Sequence, residues 1–553
     1  MKITFIGATH EVTGSCSMLE VNGKHILVDC GMEQGADIFE NIEIPVAPSD
    51  IDAIVLTHAH IDHTGKVPFL VAHGYNGPIY CTEATRELCD IMLMDSAHIQ
   101  EFEAQWRNRK GQRTGEPEFV PLYTTEDVQN TMKLFSSTGY GKNTEIFDGV
   151  TISYTDAGHL LGSSNVLFRL KENGVERTIL FSGDLGNPDK PLIRSPQKPP
   201  HADYVVCEST YGNRLHPEHP DYVGELTRVI QATLDRGGNV VIPAFAVGRT
   251  QELLYYIRII KEEGLVKNHA GFPVVVDSPL AVEATNIYST DMYEYYNDEA
   301  AELLRAGINP VTFPDLKVSV SSDESRAIND DTTPKIIISA SGMCEAGRIR
   351  HHLKHNLWRP ECTILFVGYQ SQGTLGAKLL EGADSVRLFG EDIQVKAEIR
   401  RIDSFSSHAD ENALLRWIAD VDPGVQIFIN HGEDDVTEYL AMKAAKMTGK
   451  PAIAPYSGEV WDLADCSLVH KEPVVPVIKR EAQHVDGVPA TGYKVTEATA
   501  KASAIYRELR ATGNSLIDLI EKSQGGSNKE LTAFNRDLTE LIRKYSGEDS
   551  AEK

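Results

Sequence analysis

The stretch that decides the fold is His58-Ala59-His60-Ile61-Asp62-His63, in which four of six side chains can bind a metal ion. It follows the apolar run 53–56, which is typical of a buried strand, and it precedes a helix-like segment that starts after Thr64-Gly65. Imidazole and carboxylate together suit zinc, iron or manganese. Only 19 of the 553 residues are histidine, so three within six positions are poorly explained by chance. This density favours two metal ions over a single tetrahedral site.

The composition indicates a soluble globular protein of several domains. The chain has 553 residues, of which 41% are hydrophobic and 24% are charged. No apolar run approaches the roughly 18 residues of a membrane span, and Met1–Gly7 predicts a first strand instead of a signal peptide. The eight cysteines form neither a CxxC pair nor a disulfide framework. We therefore expect a cytoplasmic protein that does not bind membranes.

The formal net charge of −27 argues against binding of polyanions through bulk charge. A local cationic groove or a bound metal ion can still dominate one site. The charge therefore lowers the expectation of nucleic-acid binding without excluding it.

The pattern of apolar runs changes along the chain. Residues 1 to about 200 predict mixed α/β structure, with hairpin turns at Asn22-Gly23 and Asn173-Gly174 and largely helical structure over 81–147. From about 215 to 390, short apolar runs alternate with helices, which is typical of a parallel sheet covered on both faces. Because metal-type residues reappear after this part, we interpret it as a domain inserted into the first one.

The end of the chain differs again. Apolar residues recur at helical spacing after a break at 525–528: Leu531, Phe534, Leu538, Leu541 and Tyr545. Two interpretations remain open, namely a helical tail that docks on its own core and a surface for dimerisation or for a partner.

Further metal-type residues follow predicted strands. His159, Asp184, His431 and Asp29 each come after an apolar run and have small neighbours, which allow close approach of backbone and metal. Each residue alone is more often structural. Taken with the four residues of the first cluster, His159, Asp184 and His431 supply the seven ligands that two adjacent metals sharing one carboxylate need.

The combined pattern resembles the metallo-β-lactamase superfamily and, within it, the β-CASP branch of nucleases. The motif at 58–63, with Asp29, His159 and Asp184, matches the superfamily motifs in order. Glu208, His408 and His431 match motifs A, B and C of the branch. The segments 243–254 and 341–343 extend the resemblance, which covers about residues 1–470 and is closest to prokaryotic relatives of the nuclease subunit of cleavage and polyadenylation specificity factor.

The resemblance implies an α/β fold, an αββα sandwich with an inserted parallel-sheet β-CASP domain. The metallo-β-lactamase domain would consist of residues 1–214 and 391–475, the second part carrying motifs B and C. The inserted domain would span 215–390. Residues 476–553, which the resemblance does not cover, would form a helical C-terminal extension.

The resemblance also assigns ligands for two Zn2+ ions per chain, with Mn2+ as an alternative. One ion would be held by His58, His60 and His159, and the other by Asp62, His63 and His431. Asp184 would bridge the two ions. Asp29 would orient a ligand histidine.

Catalysis would also need a proton donor for the leaving oxygen. We expect His408 to be this general acid, with Glu208 holding its imidazole and favouring the protonated form. The competing interpretation places His408 in the N-cap region of the helix that begins at Glu411. Ser406 or Ser407 could cap that helix, which leaves the histidine for chemistry.

Four residues are candidates for substrate binding: Arg249, Ser341, Gly342 and Arg348. The basic run 348–355 follows a Gly-containing loop whose amides could bind phosphate. A solvated helical face is an equally open interpretation of that run, and Arg249 could instead pair with a carboxylate. No aromatic platform is evident from the sequence, so we expect low base specificity.

We therefore expect a zinc-dependent ribonuclease that hydrolyses single-stranded RNA by a two-metal mechanism, in RNA processing or decay. It would cleave endonucleolytically, with 5′→3′ exonucleolysis left open, and act as a homodimer. The alternatives are a DNA-processing β-CASP nuclease, a small-molecule ester or lactam hydrolase, and a scaffold subunit with a degenerate site. His431 at motif C favours RNA over DNA, and the filled ligand positions argue against a scaffold.

Overall fold

The computed structural model describes residues 1–34, 39–111, 118–188, 190–216, 221–290, 292–370, 373–402 and 405–475, with positions 516, 532 and 534–539. The chain divides into two compact units, Met1–Thr491 and Gly492–Lys553. In the second unit, the described positions are helical and include Phe534 and Leu538. Leu531, Leu541 and Tyr545 lie outside the described residues, so the helical C-terminal extension stays a prediction.

The strands of the first unit are β1 (Lys2–Gly7), β2 (Cys16–Val21), β3 (Lys24–Val28), β4 (Ala53–Val55), β5 (Ile79–Cys81), β6 (Phe135–Ser137), β7 (Asn143–Phe147), β8 (Val150–Asp156), β9 (Ser164–Glu172), β10 (Val175–Phe181), β11 (Tyr204–Cys207), β12 (Val240–Pro243), β13 (Val274–Asp277), β14 (Leu316–Ser319), β15 (Ile336–Ser339), β16 (Thr363–Phe366), β17 (Ser385–Leu388), β18 (Glu391–Gln394), β19 (Glu398–Arg401), β20 (Gln426–Ile429), β21 (Ala452–Ile453), β22 (Val460–Asp462) and β23 (Ser467–His470).

The α-helices of this unit are α1 (Ile61–Thr64), α2 (Val67–Ala72), α3 (Glu83–Gly111), α4 (Thr125–Met132), α5 (Tyr222–Asp235), α6 (Arg249–Glu262), α7 (Pro279–Ile287), α8 (Asp298–Arg305), α9 (Ser322–Asp330), α10 (Ile349–Asn356), α11 (Leu375–Leu380), α12 (Glu411–Val421) and α13 (Asp434–Thr448). Short 3-10 helices cover Pro48–Asp50 and Tyr293–Tyr295. Within the described residues, no helix combines the length and apolar character needed to cross a membrane.

Two mixed sheets pack face to face. Within the described residues, one has the order β23-β22-β1-β2-β3-β4-β5-β6 and the other β21-β20-β11-β10-β9-β8-β7. Their inner faces share one apolar cluster, in which the ring centroids of Phe5 and Phe428 lie 5.0 Å apart. Burial of each such side chain contributes roughly 1.5–3 kcal/mol. Because side chains alternate along a strand, Leu167 and Leu180 face the other way and pack with α12 and α13.

The outer face of the first sheet packs against helices α2, α3 and α4, through residues that include Leu70, Leu88 and Val128. The layers therefore run helix, sheet, sheet, helix, which confirms the predicted αββα sandwich. The same buried cluster continues into helices α6 and α7 of the inserted part, so the two parts share apolar packing.

The inserted part contains a parallel sheet in the order β14-β13-β15-β12-β16-β19, counted over the described residues. Helices α5, α6 and α7 pack on one face and α10 and α11 on the other. This arrangement confirms the predicted inserted parallel sheet. Strand β19 lies after residue 390, where the sequence pattern placed the boundary, so the sheet extends past that position.

Two local predictions had different outcomes. Both hairpin turns are present, with positive φ at Asn22 (51°), Gly23 (72°), Asn173 (51°) and Gly174 (80°), as a type I′ turn requires. The helical prediction for 81–147 is correct for α3 and α4 but wrong after residue 134. There β6 is an edge strand of the first sheet and β7 an edge strand of the second, and such short half-exposed strands carry little apolar periodicity. Helix α3 ends at Gly111, where the described residues also break off.

Candidate metal centre

The candidate site lies where several strands end at one edge of the sandwich. Strands β10, β11 and β20 are parallel neighbours, with Cys207 opposite Ile429, so the residues that follow them emerge together. Asp184, Glu208 and His431 follow the ends of these strands within three residues. In the facing sheet, β3 and β4 are parallel with Val28 opposite Val55, which brings Asp29 close to the loop of His58.

One group of ligand atoms comes from His58, His60 and His159. His60 Nδ1 lies 3.0 Å from His58 Nε2 and 3.2 Å from His159 Nε2. His58 is fully buried and His159 nearly so. Three ring nitrogens from two loops therefore converge on one point.

A second group comes from Asp62, His63 and His431. The Nε2 atoms of His63 and His431 lie 3.1 Å apart, and His431 Nε2 lies 3.5 Å from Asp62 Oδ2. Asp62 and His63 lie in the short helix α1, so only His58 and His60 occupy the predicted loop. The helix turns these two side chains away from the first group and towards the second.

Asp184 lies between the two groups. Its Oδ2 is 3.4 Å from His58 Nε2 and 3.5 Å from His159 Nε2. Its Oδ1 is 3.2 Å from His63 Nε2 and 3.7 Å from His431 Nε2. One carboxylate oxygen thus faces each group, as a shared bridging ligand requires.

Glycines allow the ligand loops to approach closely. Gly186, two residues after Asp184, packs so tightly that an added Cβ would lie 1.7 Å from the carbonyl oxygen of Gly158. Gly183 has a φ of 53°, in the left-handed region. A side chain at Gly186 would therefore separate the loops of Asp184 and His159.

The electrostatics of these residues fit divalent cations. Burial, together with the neighbouring His58, lowers the pKa of His60 to about 3, and burial also lowers the pKa of His58 and His159. Although burial opposes ionisation of Asp184, His431 and His63 hold its pKa well below the usual range. Its buried Oδ1 accepts no hydrogen bond from the described residues. The neutral imidazoles of His58, His60 and His159, beside an ionised carboxylate with an unbonded oxygen, form a metal donor set.

Asp29 orients His63. Its Oδ2 lies 2.7 Å from His63 Nδ1, and its two oxygens accept hydrogen bonds of 2.8 Å from the backbone N–H and the hydroxyl of Thr57. The opposite ring nitrogen of His63 is therefore aimed at Asp184. A carboxylate in this position fixes both the tautomer and the direction of a ligand histidine.

His408 lies beside the candidate metal ligands, and Glu208 holds it there. Its Nδ1 is 3.2 and 3.1 Å from the two carboxylate oxygens of Glu208, and its Nε2 is 3.9 Å from Asp184 Oδ2. Burial opposes the charged imidazolium, but the Glu208 carboxylate raises the pKa of His408 above its usual value. A protonated imidazole with its free nitrogen towards the metal ligands can donate a proton there.

The expected serine cap of α12 is wrong. Asp410 is the N-cap, and its side chain accepts a hydrogen bond of 2.9 Å from the backbone N–H of Ala413. Ser406 Oγ instead accepts from the backbone N–H of His408, and Ser407 Oγ accepts from Arg249. An aspartate directly before the first helical turn caps as well as serine.

Arg249 pairs with a carboxylate, one of the two alternatives open from the sequence. This buried guanidinium forms an ion pair with Glu252 and donates a hydrogen bond of 2.9 Å to Ser407 Oγ. Lys190 also contacts this segment, because its Nζ donates to the carbonyl of Ser407 at 2.7 Å. Burial lowers the pKa of Lys190 to about 8. Both cations thus support the segment that carries His408, and no sequence signal indicated Lys190.

The other substrate-binding candidates have internal contacts. Arg348 donates to Asp277 Oδ1 at 2.7 Å and to the Val320 carbonyl at 2.5 Å, contacts typical of a structural residue. Ser341 donates to the carbonyl of Ala346, and Gly342 lies against the half-exposed Phe245. Helix α10 begins only at Ile349. The amides of Ser341 and Gly342 therefore do not lie at its first turn, where the sequence pattern expected phosphate binding.

One feature near His408 has no counterpart in the sequence predictions. Tyr211, Arg214 and Tyr369 form an aromatic and cationic cluster, with the Arg214 guanidinium 5.4 Å and 5.7 Å from the two ring centroids. Tyr211 and Tyr369 come from different parts of the chain. No local pattern could have revealed their proximity.

Three segments of the chain match known protein families. Residues 11–138 match the metallo-beta-lactamase superfamily, and residues 250–379 match the Beta-Casp domain. Residues 392–455 match the Zn-dependent metallo-hydrolase RNA specificity domain.

Similar proteins extend the match over most of the chain. Ribonuclease TTHA0252 of Thermus thermophilus is 36% identical over 436 residues, which are 79% of this chain and 94% of that protein. Transcription termination factor FttA of Methanocaldococcus jannaschii is 31% identical over 468 residues, covering 82% of this chain and 70% of that protein. The FttA protein of Pyrococcus abyssi is 32% identical over 476 residues, with the same coverage of 82% and 70%.

Proposed function

Because this chain belongs to the Beta-Casp branch of the metallo-β-lactamase superfamily, we propose that it is a metal-dependent ribonuclease that hydrolyses phosphodiester bonds of single-stranded RNA. Support comes from the RNA specificity domain matched at 392–455 and from a relative named as a ribonuclease. We propose further that it acts in the cytoplasm as a homodimer, cleaves endonucleolytically and can also degrade RNA 5′→3′. The cytoplasmic location rests on the composition and the cysteine pattern, and the other properties rest on the family resemblance.

The observation that carries the proposal is the position of Asp184. Its two oxygens face two separate ligand groups, at 3.4 Å from His58 and 3.2 Å from His63. His408 lies 3.9 Å from the same carboxylate and is held by Glu208. A two-cation centre with an adjacent proton donor suits phosphodiester hydrolysis.

We propose that the ions are two Zn2+ per chain, with Mn2+ able to substitute. His58, His60 and His159 would hold one and Asp62, His63 and His431 the other, with Asp184 shared. When bound, such ions supply Lewis-acid stabilisation of the phosphate and lower the pKa of the attacking water.

The remaining steps belong to side chains of the protein. His408 Nε2 donates a proton to the leaving oxygen. Glu208 favours the protonated imidazole and, by binding Nδ1, leaves Nε2 facing the leaving oxygen. Asp29 holds the His63 ring in its ligand orientation. Arg249 and Lys190 fix Ser407, the residue before His408. They thereby hold His408 Nε2 at 3.9 Å from Asp184 Oδ2.

Domain boundaries are also proposed. We retain 1–214 and 391–475 for the metallo-β-lactamase domain, 215–390 for the inserted domain and 476–553 for the extension. Strand β19 extends the inserted sheet to Arg401, which favours moving the second boundary to about residue 402.

The test is digestion of single-stranded RNA labelled at either end, beside a DNA strand of the same sequence. With Zn2+ or Mn2+ supplied, the wild-type protein should cleave RNA at internal sites. His408→Ala should lose roughly 10²–10⁴-fold in rate while retaining its metal. His470→Ala, which replaces an exposed histidine in β23, is the matched control and should cleave like wild type. If the metal-replete wild type leaves RNA intact, the proposal is contradicted. Cleavage of DNA alone favours the DNA nuclease. In a parallel assay with a lactam or a thioester, turnover of that compound alone favours the small-molecule hydrolase.

A further inference from the structure

The loop that follows Glu208 contacts the outer side of the proposed general acid. The ring centroid of Tyr211 lies 6.0 Å from that of His408. His216 Nε2 lies 3.1 Å from the carbonyl oxygen of His408. This loop therefore lies next to His408, and its residues 213–215 are exposed.

Arg214 projects from this loop and contacts two tyrosine rings. Its guanidinium carbon lies 5.4 Å from the centroid of Tyr211 and 5.7 Å from that of Tyr369. The rings are perpendicular, with centroids 6.2 Å apart. Tyr211 is buried whereas Arg214 is exposed, so the rings hold the cation at the surface. A guanidinium over an aromatic face is attracted by the negative potential of the ring.

The second ring is itself fixed. Tyr369 follows β16 of the inserted domain, and its hydroxyl donates a hydrogen bond of 2.7 Å to Glu433 Oε1. Glu433 lies two residues after His431 and is the N-cap of α13. The ring that holds Arg214 is thus connected to the segment that supplies a metal ligand.

Arg214 differs from the other arginines near the site in its charge balance. Arg249 pairs with Glu252 and Arg348 pairs with Asp277. Over the described part of the chain, no carboxylate forms an ion pair with Arg214, and the Glu433 carboxylate is engaged by the Tyr369 hydroxyl. In a chain with a net charge of −27, an exposed and unpaired cation beside the proposed acid is suited to bind an anion.

We propose that Arg214, held by Tyr211 and Tyr369, binds a backbone phosphate of RNA on the leaving-group side of the scissile bond. The proposal rests on the ribonuclease function proposed above. His408 delivers its proton to the leaving oxygen, and Arg214 is one aromatic ring removed from His408. A guanidinium recognises phosphate through two parallel hydrogen bonds, and the two rings preorganise it. Arg214 is therefore a positioning and affinity residue for the RNA strand.

The test compares Arg214→Gln with Arg214→Lys and Arg305→Gln. Arg305 is the matched control, because it is also exposed and lies 5.5 Å over a tyrosine ring, that of Tyr293. KM and kcat for a single-stranded RNA are measured at several KCl concentrations. Arg214→Gln should raise KM about tenfold and change kcat less than about threefold. It should also reduce the slope of log KM against log [KCl] by about 0.7, the contribution of one phosphate contact to a single strand.

The controls separate phosphate binding from a structural role. Arg214→Lys should restore the salt dependence but only part of the affinity, and Arg305→Gln should match wild type. Unchanged KM and salt dependence in Arg214→Gln would overturn the proposal. A loss confined to kcat would also overturn it, because it would indicate that Arg214 holds His408 in place instead of binding RNA. An inactive wild type would refute the ribonuclease function and this proposal with it, whereas an active wild type with a normal Arg214→Gln refutes this proposal alone.

Discussion

The Nε2 atoms of His63 and His431 lie 3.1 Å apart although 368 positions separate the two residues in the chain. The inserted domain accounts for about half of that separation. The parallel pairing of β11 with β20 then returns the chain to the sandwich, where His431 follows β20. One half of the ligand set therefore forms only after the chain returns from the inserted domain to the sandwich. We expect metal binding at this half to depend on the integrity of the whole first unit.

Asp29→Asn should weaken metal binding without unfolding the protein. The carboxylate accepts from His63 and from both donors of Thr57, and an amide cannot accept all three hydrogen bonds. Loss of such an orienting partner typically lowers metal affinity 10–100-fold. Competition with a chelator measures this change. Asp52→Asn, which removes a carboxylate paired with Lys24, is the control and should bind metal like wild type.

Glu208→Gln should reduce kcat while the metal content stays at the wild-type level. The neutral amide no longer favours the charged form of His408, nor does it accept equally from Leu185 and Thr210. We expect a decrease in kcat of about 10–100-fold, within the range of general-acid effects. Steady-state cleavage and metal analysis of the same sample provide the measurement. A variant that loses metal instead would indicate that Glu208 is itself a ligand.

Tyr369→Leu should resemble Arg214→Gln in its effect on KM, because Leu removes one of the two rings that hold the guanidinium. Tyr369→Phe keeps the ring and loses only the hydrogen bond to Glu433, so its KM should stay within about threefold of wild type. Equal effects of the two substitutions would show that the hydroxyl matters more than the ring.

Asp95→Asn should stabilise the protein at neutral pH. Burial, reinforced by Glu283, raises the pKa of Asp95 to about 6, above the ordinary value of 3.8. Between about pH 4 and pH 6, the folded protein therefore holds a proton on Asp95 that the unfolded chain has released. The free energy of unfolding decreases as the pH rises through this range. The substitution should add about 1–2 kcal/mol at pH 7.5 and progressively less towards pH 4.

The midpoint of thermal unfolding at several pH values measures the effect of Asp95→Asn. Asp90→Asn, at an exposed position of the same helix α3, is the control and should show no such pH dependence. A gain for Asp95→Asn that is equal at pH 4 and pH 7.5 would contradict the assignment.

The positions of many candidate ligands could be predicted because their signal is local, while their role as metal ligands stays a prediction. The cluster at 58–63 lies in one loop and its adjoining helix, and Asp184 and His431 each follow an apolar strand flanked by small residues. The carboxyl ends of neighbouring parallel strands meet at one edge, so strand-end ligands converge once the sheet order is known. The hairpins at Asn22-Gly23 and Asn173-Gly174 were predictable for the same reason, since the turn residues carry their own conformational preference.

The contacts that were not predictable depend on distant partners. Arg348 looked like a phosphate ligand in a basic run, but Asp277, at the end of β13, neutralises it. Arg214 looked unremarkable, because the rings that hold it come from Tyr211 nearby and Tyr369 far along the chain. Charge balance and aromatic stacking between segments appear only in three dimensions. The prediction failed for the short edge strands β6 and β7 for a different reason, because half-exposed strands show weak apolar periodicity.

The most direct test of the two-metal centre is the number of Zn2+ ions per chain in reconstituted wild type and in His431→Ala, determined by native mass spectrometry. His431 completes the group with Asp62 and His63, while the group of His58, His60 and His159 does not include it. We predict two ions in the wild type and one in His431→Ala. A single ion in the wild type, or the same number in both proteins, would contradict the account.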